Sequence, residues 1–444
     1  MIMISEYYGR RVLVRRDQVA PAGVQVLETI KQQTSEIYCL RCGQVTPKES
    51  AALPNGEFYC PRCINLGRVS TLCKFYHVPE PNQFEVTSPL LTWSGKLSPL
   101  QASAAKQVKE GMLNHRRQLL WAVTGAGKTE MMFSGIAACL KRGERVAIAS
   151  PRVDVCLELY PRFKAAFANT DIVLLHGRQE LPYHYAQLTI CTTHQLLRFY
   201  HAFDNLVIDE VDAFPFAANP ALFYAAQQAI KGDGGQLFLT ATPGKYLLKE
   251  MRQQRLMVTY LPLRYHGHLL PGIKLHLARK WRKKLGKVLL PPSLVRMMRQ
   301  TLAANHRFLL FVPHVADLPV VARACHHYFC EAKFTTVHAS DEERLAKVQA
   351  MRDNDYQFLI TTSILERGVT FPEIDVFVLG ADDGVFSTAA LVQIAGRAGR
   401  SLSRPVGHVG FLVAGHSRVV NAAVNQVRYM NNKGRQCQNA MSAL

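Results

Sequence analysis

Short apolar runs alternate with stretches of helical period from Trp93 to about Leu261. VAIAS (146–150), DIVLL (171–175), LTICTT (188–193), NLVIDE (205–210) and QLFLTAT (236–242) carry almost no polar alternation. Runs of this kind predict strands buried on both faces. Their alternation with helices predicts a parallel sheet covered on either side. The pattern resumes further on with FLLFVP (308–313), KFTTVHA (333–339), QFLITT (357–362), VFVLG (376–380) and HVGFLV (408–413). That is a second α/β unit of similar size. Between the two lies the basic stretch ARKWRKKLGK (278–287), read here as a linker that is either solvated or part of a binding track. Residues 1–92 are mixed and turn-rich, and they close on VPEPNQFEVTSP, whose prolines suit an extended connector. The tail VNQVRYMNNKGRQCQNAMSAL reads as a helix with a frayed end. No internal repeat or low-complexity tract interrupts the chain. The expected organisation is an N-terminal region (1–92), a first lobe (93–262), a basic inter-lobe linker (263–290) and a second lobe (291–444).

The 444 residues carry a net charge of +20, which points to a polyanionic partner. No window approaches 18 uninterrupted apolar residues, so no helical membrane span is expected. The start, MIMISEYYGRRVLVRRDQ, lacks the apolar core of a signal peptide, and a cytosolic chain is expected. Eleven cysteines in a reducing compartment argue for metal ligation or buried thiols rather than disulfides. Four of them form two knuckles, Cys39-x2-Cys42 and Cys60-x2-Cys63. This spacing fits a closed, structural four-thiolate zinc site, with a disulfide pair as the competing reading. Gly43 suits the first knuckle turn and Pro61 stiffens the second. Cys73 and His77 are not needed to complete the set, and the remaining cysteines read as buried thiols.

The first chemical motif is LWAVTGAGKTE (120–130). Gln118–Trp121 reads as the end of a strand, and Ala122–Thr129 has the small-x-x-x-x-Gly-Lys-Thr spacing of a phosphate-binding loop. Thr124, Gly125, Ala126 and Gly127 would let backbone N–H groups approach phosphate oxygens. Lys128 would reach the β- and γ-phosphates, and the Thr129 hydroxyl would ligate magnesium. A helix starting at Thr129 would place its positive end at the phosphates. Ala122 stands where a strict motif has glycine. Downstream, an apolar strand ends in Asp209-Glu210-Val211-Asp212. Asp209 can hold magnesium through water, and Glu210 can orient and deprotonate an attacking water. In QIAGRAGR (393–400), Arg397 and Arg400 are spaced to share a face of a helix or turn. They read as arginine fingers for the γ-phosphate or, taken alone, as a solvated basic face.

Taken in order, Ala122–Thr129, Asp209–Asp212, Thr240-Ala241-Thr242-Pro243, Thr361–Thr370 and Gln393–Arg400 resemble the motifs of superfamily 2 helicases. Gln101, in WSGKLSPLQ, resembles the upstream glutamine that reads adenine in that group. The resemblance implies an α/β fold of two tandem RecA-like lobes behind the four-cysteine module. It implies ATP between the lobes, with Gln393 at the nucleotide, and single-stranded nucleic acid across their top. By the same resemblance Arg152, Thr192 and Thr193 in the first lobe would contact the nucleic-acid backbone, with Thr361 and Thr362 in the second. Thr240 and Thr242 would couple hydrolysis to lobe closure.

With CLRCG, CPRC, DEVDAFP, RYHGH (264–268) and QIAGRAGR, the chain is similar over almost its whole length to the ComFA family of late-competence ATPases of Gram-positive bacteria. That resemblance implies a DNA-dependent ATPase that helps draw transforming single-stranded DNA into the cytosol. It implies ATP, Mg2+ and Zn2+ as cofactors, and a place on the inner face of the cell membrane with the DNA-uptake machinery. A ComFC-type protein and DprA are its implied partners. A replication-restart helicase resembling PriA is the alternative in the same class, although its zinc cysteines are expected later in the motor. A nucleic-acid-binding scaffold with weak ATPase activity is the alternative outside it.

Overall fold

The computed structural model describes residues 3–177, 182–366 and 371–442. The chain folds into two compact units. One comprises residues 1–121 and 128–260, and the other residues 122–127 and 261–444.

The first unit is built on a seven-stranded sheet. Its order is Met257–Leu261, Arg117–Ala122, Ile230–Thr240, Phe203–Asp209, Val146–Ser150, Leu188–Thr192, Ile172–Leu175. The central strands pair in parallel, with Val207 opposite Ile148 on one side and Leu237 on the other. Every residue of Val146–Ser150, Leu188–Thr192 and Phe203–Asp209 is buried, as continuous apolar runs in a doubly covered sheet require. Helices Pro99–Leu113, Glu130–Lys141, Val153–Ala166 and Pro220–Ala229 supply the cover. Glu130–Lys141 follows the phosphate-loop sequence one residue later than expected, with Thr129 as its N-cap in helical conformation.

The second unit carries a six-stranded sheet in the order Ile273–Leu277, Val409–Val413, Asp375–Leu379, Phe308–Phe311, Phe358–Thr361, Phe334–Val337, and every pair is parallel. Here the expected basic linker is corrected. Ile273–Leu277 lies inside 263–290 yet forms the edge strand of this sheet, and Trp281 and Leu285 are buried in the core beside Leu290 and Leu294. The apolar positions of this segment are spaced within a basic background, so the mean charge conceals them. A Cβ on Gly380 would come within 2.5 Å of the Trp281 ring, which shows how closely the ring is packed.

Residues before Trp93 form two small antiparallel sheets. Val12–Arg15, Cys73–His77 and Gln25–Leu27 make one, and Ile30–Gln32, Glu36–Cys39 and Val45–Pro47 the other. Far from being a loose appendage, this region shares the compact unit of the first sheet. Glu80 and Arg145 form an ion pair at 2.5 Å with both side chains fully buried. Arg145 also donates to the Tyr183 hydroxyl (2.9 Å) and the Ala186 carbonyl (3.1 Å). Asn82 donates to Asp204, which Lys231 pairs at 2.7 Å. Arg145, Asp204 and Lys231 stand at the N-terminal ends of their strands, whereas Ser150, Asp209 and Thr240 stand at the C-terminal ends.

Candidate active site and metal centre

The phosphate-loop turn needs its glycines. Gly125 and Gly127 have φ of +78° and +73°, a region that side chains disfavour. Just beyond the turn, Lys128 Nζ lies 3.6 Å from Asp209 Oδ1 in the first unit. Burial raises the Asp209 carboxyl above its usual range, and Lys128 beside it pulls the other way. Asp209 Oδ1 also accepts the Glu210 backbone N–H at 2.9 Å, and Glu210 itself is turned into the left-handed region with φ +53°. A buried carboxylate at a strand end, beside a lysine and the 93 %-buried Thr129, is a fitting oxygen donor set for a hard divalent cation.

The rest of the acid box is tied to the next strand. Thr240 Oγ1 donates to Asp212 Oδ1 at 2.5 Å, and Thr242 Oγ1 donates to Asp212 Oδ2. Gln101 closes a capping box at the start of Pro99–Leu113: its side-chain oxygen accepts the Ser98 N–H (2.9 Å), and its own N–H donates to the Ser98 hydroxyl.

In the second unit, helix Thr388–Ala395 presents Gln393, 8 % exposed, and stops before both arginines. They do not share a helix face. Arg397 is buried and its Nε donates to the Glu366 carbonyl at 3.0 Å. Arg400 adopts φ +74°, and its Nε donates to the Gly396 carbonyl at 3.0 Å. The protein around it pulls the Arg400 guanidinium down to about 10. Residues 122–127 pack in this same unit. A Cβ on Gly125 would stand 4.0 Å from Arg400 Nε, and one on Gly396 would lie only 1.9 Å from Thr124 Oγ1. Ala126 is buried in the loop, its N–H bonded to Val123 O at 3.2 Å.

The residues expected at a nucleic-acid backbone divide. Arg152 is partly exposed at the start of Val153–Ala166. Thr192 and Thr362 retain only slight exposure. Thr193 and Thr361 are wholly buried, and the Thr361 hydroxyl donates to the Val337 carbonyl at 2.9 Å. Those two hydroxyls therefore do not face a ligand, which corrects the expectation drawn from the motif. The motif Thr361–Thr370 continues into 367–370, outside the described residues.

Cys39, Cys42, Cys60 and Cys63 come together, with all four sulfurs within 4.8 Å of one another. Their separations are 3.9 Å (Cys39–Cys63), 3.6 Å (Cys42–Cys60) and 3.7 Å (Cys60–Cys63). A tetrahedral ion with metal–sulfur bonds of about 2.3 Å requires sulfurs about 3.8 Å apart, so the cluster fits zinc. All four are free thiols, which sets the disulfide reading aside. Gly43 takes φ +67° in the first knuckle and returns its N–H to the Cys39 carbonyl at 2.8 Å. A Cβ there would strike the Tyr224 ring at 2.5 Å, so this knuckle is pressed against helix Pro220–Ala229. The sequence reading overlooked Arg41, which lies between the first two ligands. It is 4 % exposed and donates to Cys63 Sγ at 3.2 and 3.4 Å, as an outer-shell donor to a thiolate does.

Two RecA-like lobes carrying these motif residues in this order define a superfamily 2 helicase-type ATPase. Residues 94–245 match the family described as "Type III restriction enzyme, res subunit", and residues 290–401 match "Helicase conserved C-terminal domain". More narrowly, the chain belongs to the ComFA family. It is 40% identical over 396 residues to "Competence protein ComFA" of Bacillus subtilis (strain 168), covering 88% of this chain and 85% of that protein. It is 38% identical over 408 residues to the protein of the same name from Streptococcus pneumoniae (strain ATCC BAA-255 / R6), covering 91% and 93%. Among solved structures, S. cerevisiae Dbp5 bound to RNA and ADP BeF3 superposes with a TM-score of 0.51 over 75% of this chain and 92% of its own. At 14% identity, that likeness speaks for the fold alone.

Proposed function

We propose that this chain is an ATP-driven motor on single-stranded DNA that draws transforming DNA into the cytosol during competence. The observation that carries the chemistry is Lys128 Nζ at 3.6 Å from the buried Asp209, directly after a loop whose glycines hold positive φ. In this reading the backbone of 124–127 cradles the nucleotide phosphates, and Lys128 moves from Asp209 onto the β- and γ-oxygens. Thr129 and Asp209 hold magnesium, which supplies charge neutralisation at the transferring phosphoryl group. Glu210 orients the attacking water, and Arg400 and Arg397 serve the developing charge. Gln101 and Gln393 read the nucleotide.

The DNA track is supported by the +20 charge and by the partly exposed Arg152, with Thr192 and Thr362 beside it. Among the described residues no helix is long and apolar enough to cross a membrane, so a place at the inner membrane face would be peripheral. Family membership supports the uptake machinery, a ComFC-type protein and DprA as partners. The four-cysteine cluster holds zinc as a structural ion, and the domains follow the sequence division with the edge strand at 273–277 given to the second lobe.

Lys128→Ala tests the core of the proposal. Turnover should disappear while single-stranded DNA binding, measured by anisotropy without nucleotide, stays close to wild type. Near-normal turnover would refute the phosphate-loop assignment.

A further inference from the structure

Arg264 is a buried cation for which the chemistry above has no use. It is 2 % exposed and follows the strand Met257–Leu261 by three residues. Its Nη1 donates to the Ala398 carbonyl at 2.8 Å and the Pro405 carbonyl at 3.0 Å, and its Nη2 donates to the Gly396 carbonyl at 3.1 Å. All three acceptors lie on the turn 396–405, the segment that carries Arg400. The next residue, Tyr265, donates its backbone N–H to the Gly125 carbonyl at 2.9 Å. The hairpin behind them is closed by Arg264 N–H on His268 O (3.0 Å) and Gly267 N–H on Arg264 O (2.9 Å). One dipeptide thus grips both the phosphate loop and the arginine turn. The side-chain stem reaches the loop as well, because a Cβ on Gly125 would meet Arg264 Cγ at 3.9 Å.

The bonding pattern is unusual for a buried arginine. Its side-chain partners are carbonyls, and its Nε–H has no hydrogen-bond partner among the described residues. Burial, with Arg400 nearby, lowers its affinity for the proton. Burying a cation without an acid is costly. Three converging carbonyls are what this cation secures in return. They belong to a turn in which Arg400 holds left-handed φ, a conformation that costs on the order of 1–3 kcal/mol and persists where the surroundings over-determine it.

We propose that Arg264 is a positioning residue for ATP hydrolysis: it locks the 396–405 turn against the phosphate loop so that Arg400 is aimed at the nucleotide phosphates. The proposal rests on the assignment of Arg400 as an arginine finger. Arg264 touches no reacting atom and acts through Arg400.

The test is a cycle in the full-length chain using Arg264→Gln, Arg264→Lys, Arg400→Ala and the Arg264→Gln/Arg400→Ala double variant. For each, kcat and the dissociation constant of a fluorescent ATP analogue are measured. Arg264→Gln should lower kcat by about tenfold or more while nucleotide affinity stays within about threefold. Arg264→Lys, which keeps the charge but loses the fork, should fall between Arg264→Gln and wild type. The double variant should be no slower than Arg400→Ala alone, because a residue that acts only through Arg400 has nothing left to position. If Arg264→Gln does not fold, Arg264→Lys replaces it in the cycle with the same expected non-additivity. Independent, multiplying losses would overturn the positioning role while leaving the finger intact. Wild-type kcat in Arg400→Ala would overturn the finger assignment and this proposal with it.

Discussion

Lys128 and Arg400 are the residues on which the proposed chemistry turns, and each was legible for a different reason. Lys128 is fixed by a local spacing whose chemistry is carried by backbone, so eight consecutive letters suffice. Arg400 was legible as a residue type at a distance from an apolar helix, but its backbone conformation was not. The helix stops at Ala395, and the left-handed φ at Arg400 comes from packing against Arg264, 136 positions earlier in the chain. Arg400→Ala should retain ATP binding and lose about 10³-fold in the turnover of bound ATP, as read by single-turnover hydrolysis. Collapse of nucleotide affinity with normal turnover of what is bound would contradict that role. Thr193 and Thr361 show where residue reading fails. A threonine at the end of a buried parallel strand has no alternation to say which face it takes, and in both the hydroxyl turns inward. Arg264 was visible only as part of RYHGH, because nothing in a sequence announces a guanidinium that will bond three carbonyls.

At the scale of elements, the strands of both sheets were readable because parallel strands are continuous apolar runs. The edge strand Ile273–Leu277 was not. It alternates Ile, Lys, Leu, His, Leu, and as an edge it leaves Leu275 and Leu277 exposed at 45% and 59%. Trp281 was hidden in a charged run. Trp281→Ala should cost about 3–5 kcal/mol of unfolding free energy in the second lobe, read by denaturant titration. A cost below about 1 kcal/mol would return the segment to a linker. The N-terminal region is held to the first lobe by the Glu80–Arg145 pair, and sequence gave no sign of that long-range partnership. Removing one member leaves the other buried without its partner, so Glu80→Ala should destabilise by about 3–5 kcal/mol. Thermal unfolding unchanged from wild type would contradict the docking described here. The zinc knuckles were fully legible from spacing. Replacing Cys39 and Cys42 by Ser should abolish one equivalent of zinc per chain in metal analysis and expose the first knuckle to proteolysis. An intact protein without zinc would contradict the metal reading.

The whole molecule is a basic two-lobed ATPase of the ComFA family, and its charge bears on what the motor pulls. Within the basic run, Arg282 is already committed to Asp317 at 3.0 Å and Asp383 at 2.7 Å. Lys280, Lys283 and Lys284 are exposed. If those three meet a single strand, changing them together to Ala should flatten the slope of log affinity against log salt by about 2, without altering basal turnover. An unchanged slope would take the run out of the track. The central claim is tested most directly by the steady-state ATPase rate at fixed salt, with no nucleic acid and then with single-stranded DNA, blunt duplex DNA or RNA. The account predicts a clear rise with single-stranded DNA and a much smaller one with duplex. The absence of stimulation by any single strand would contradict it.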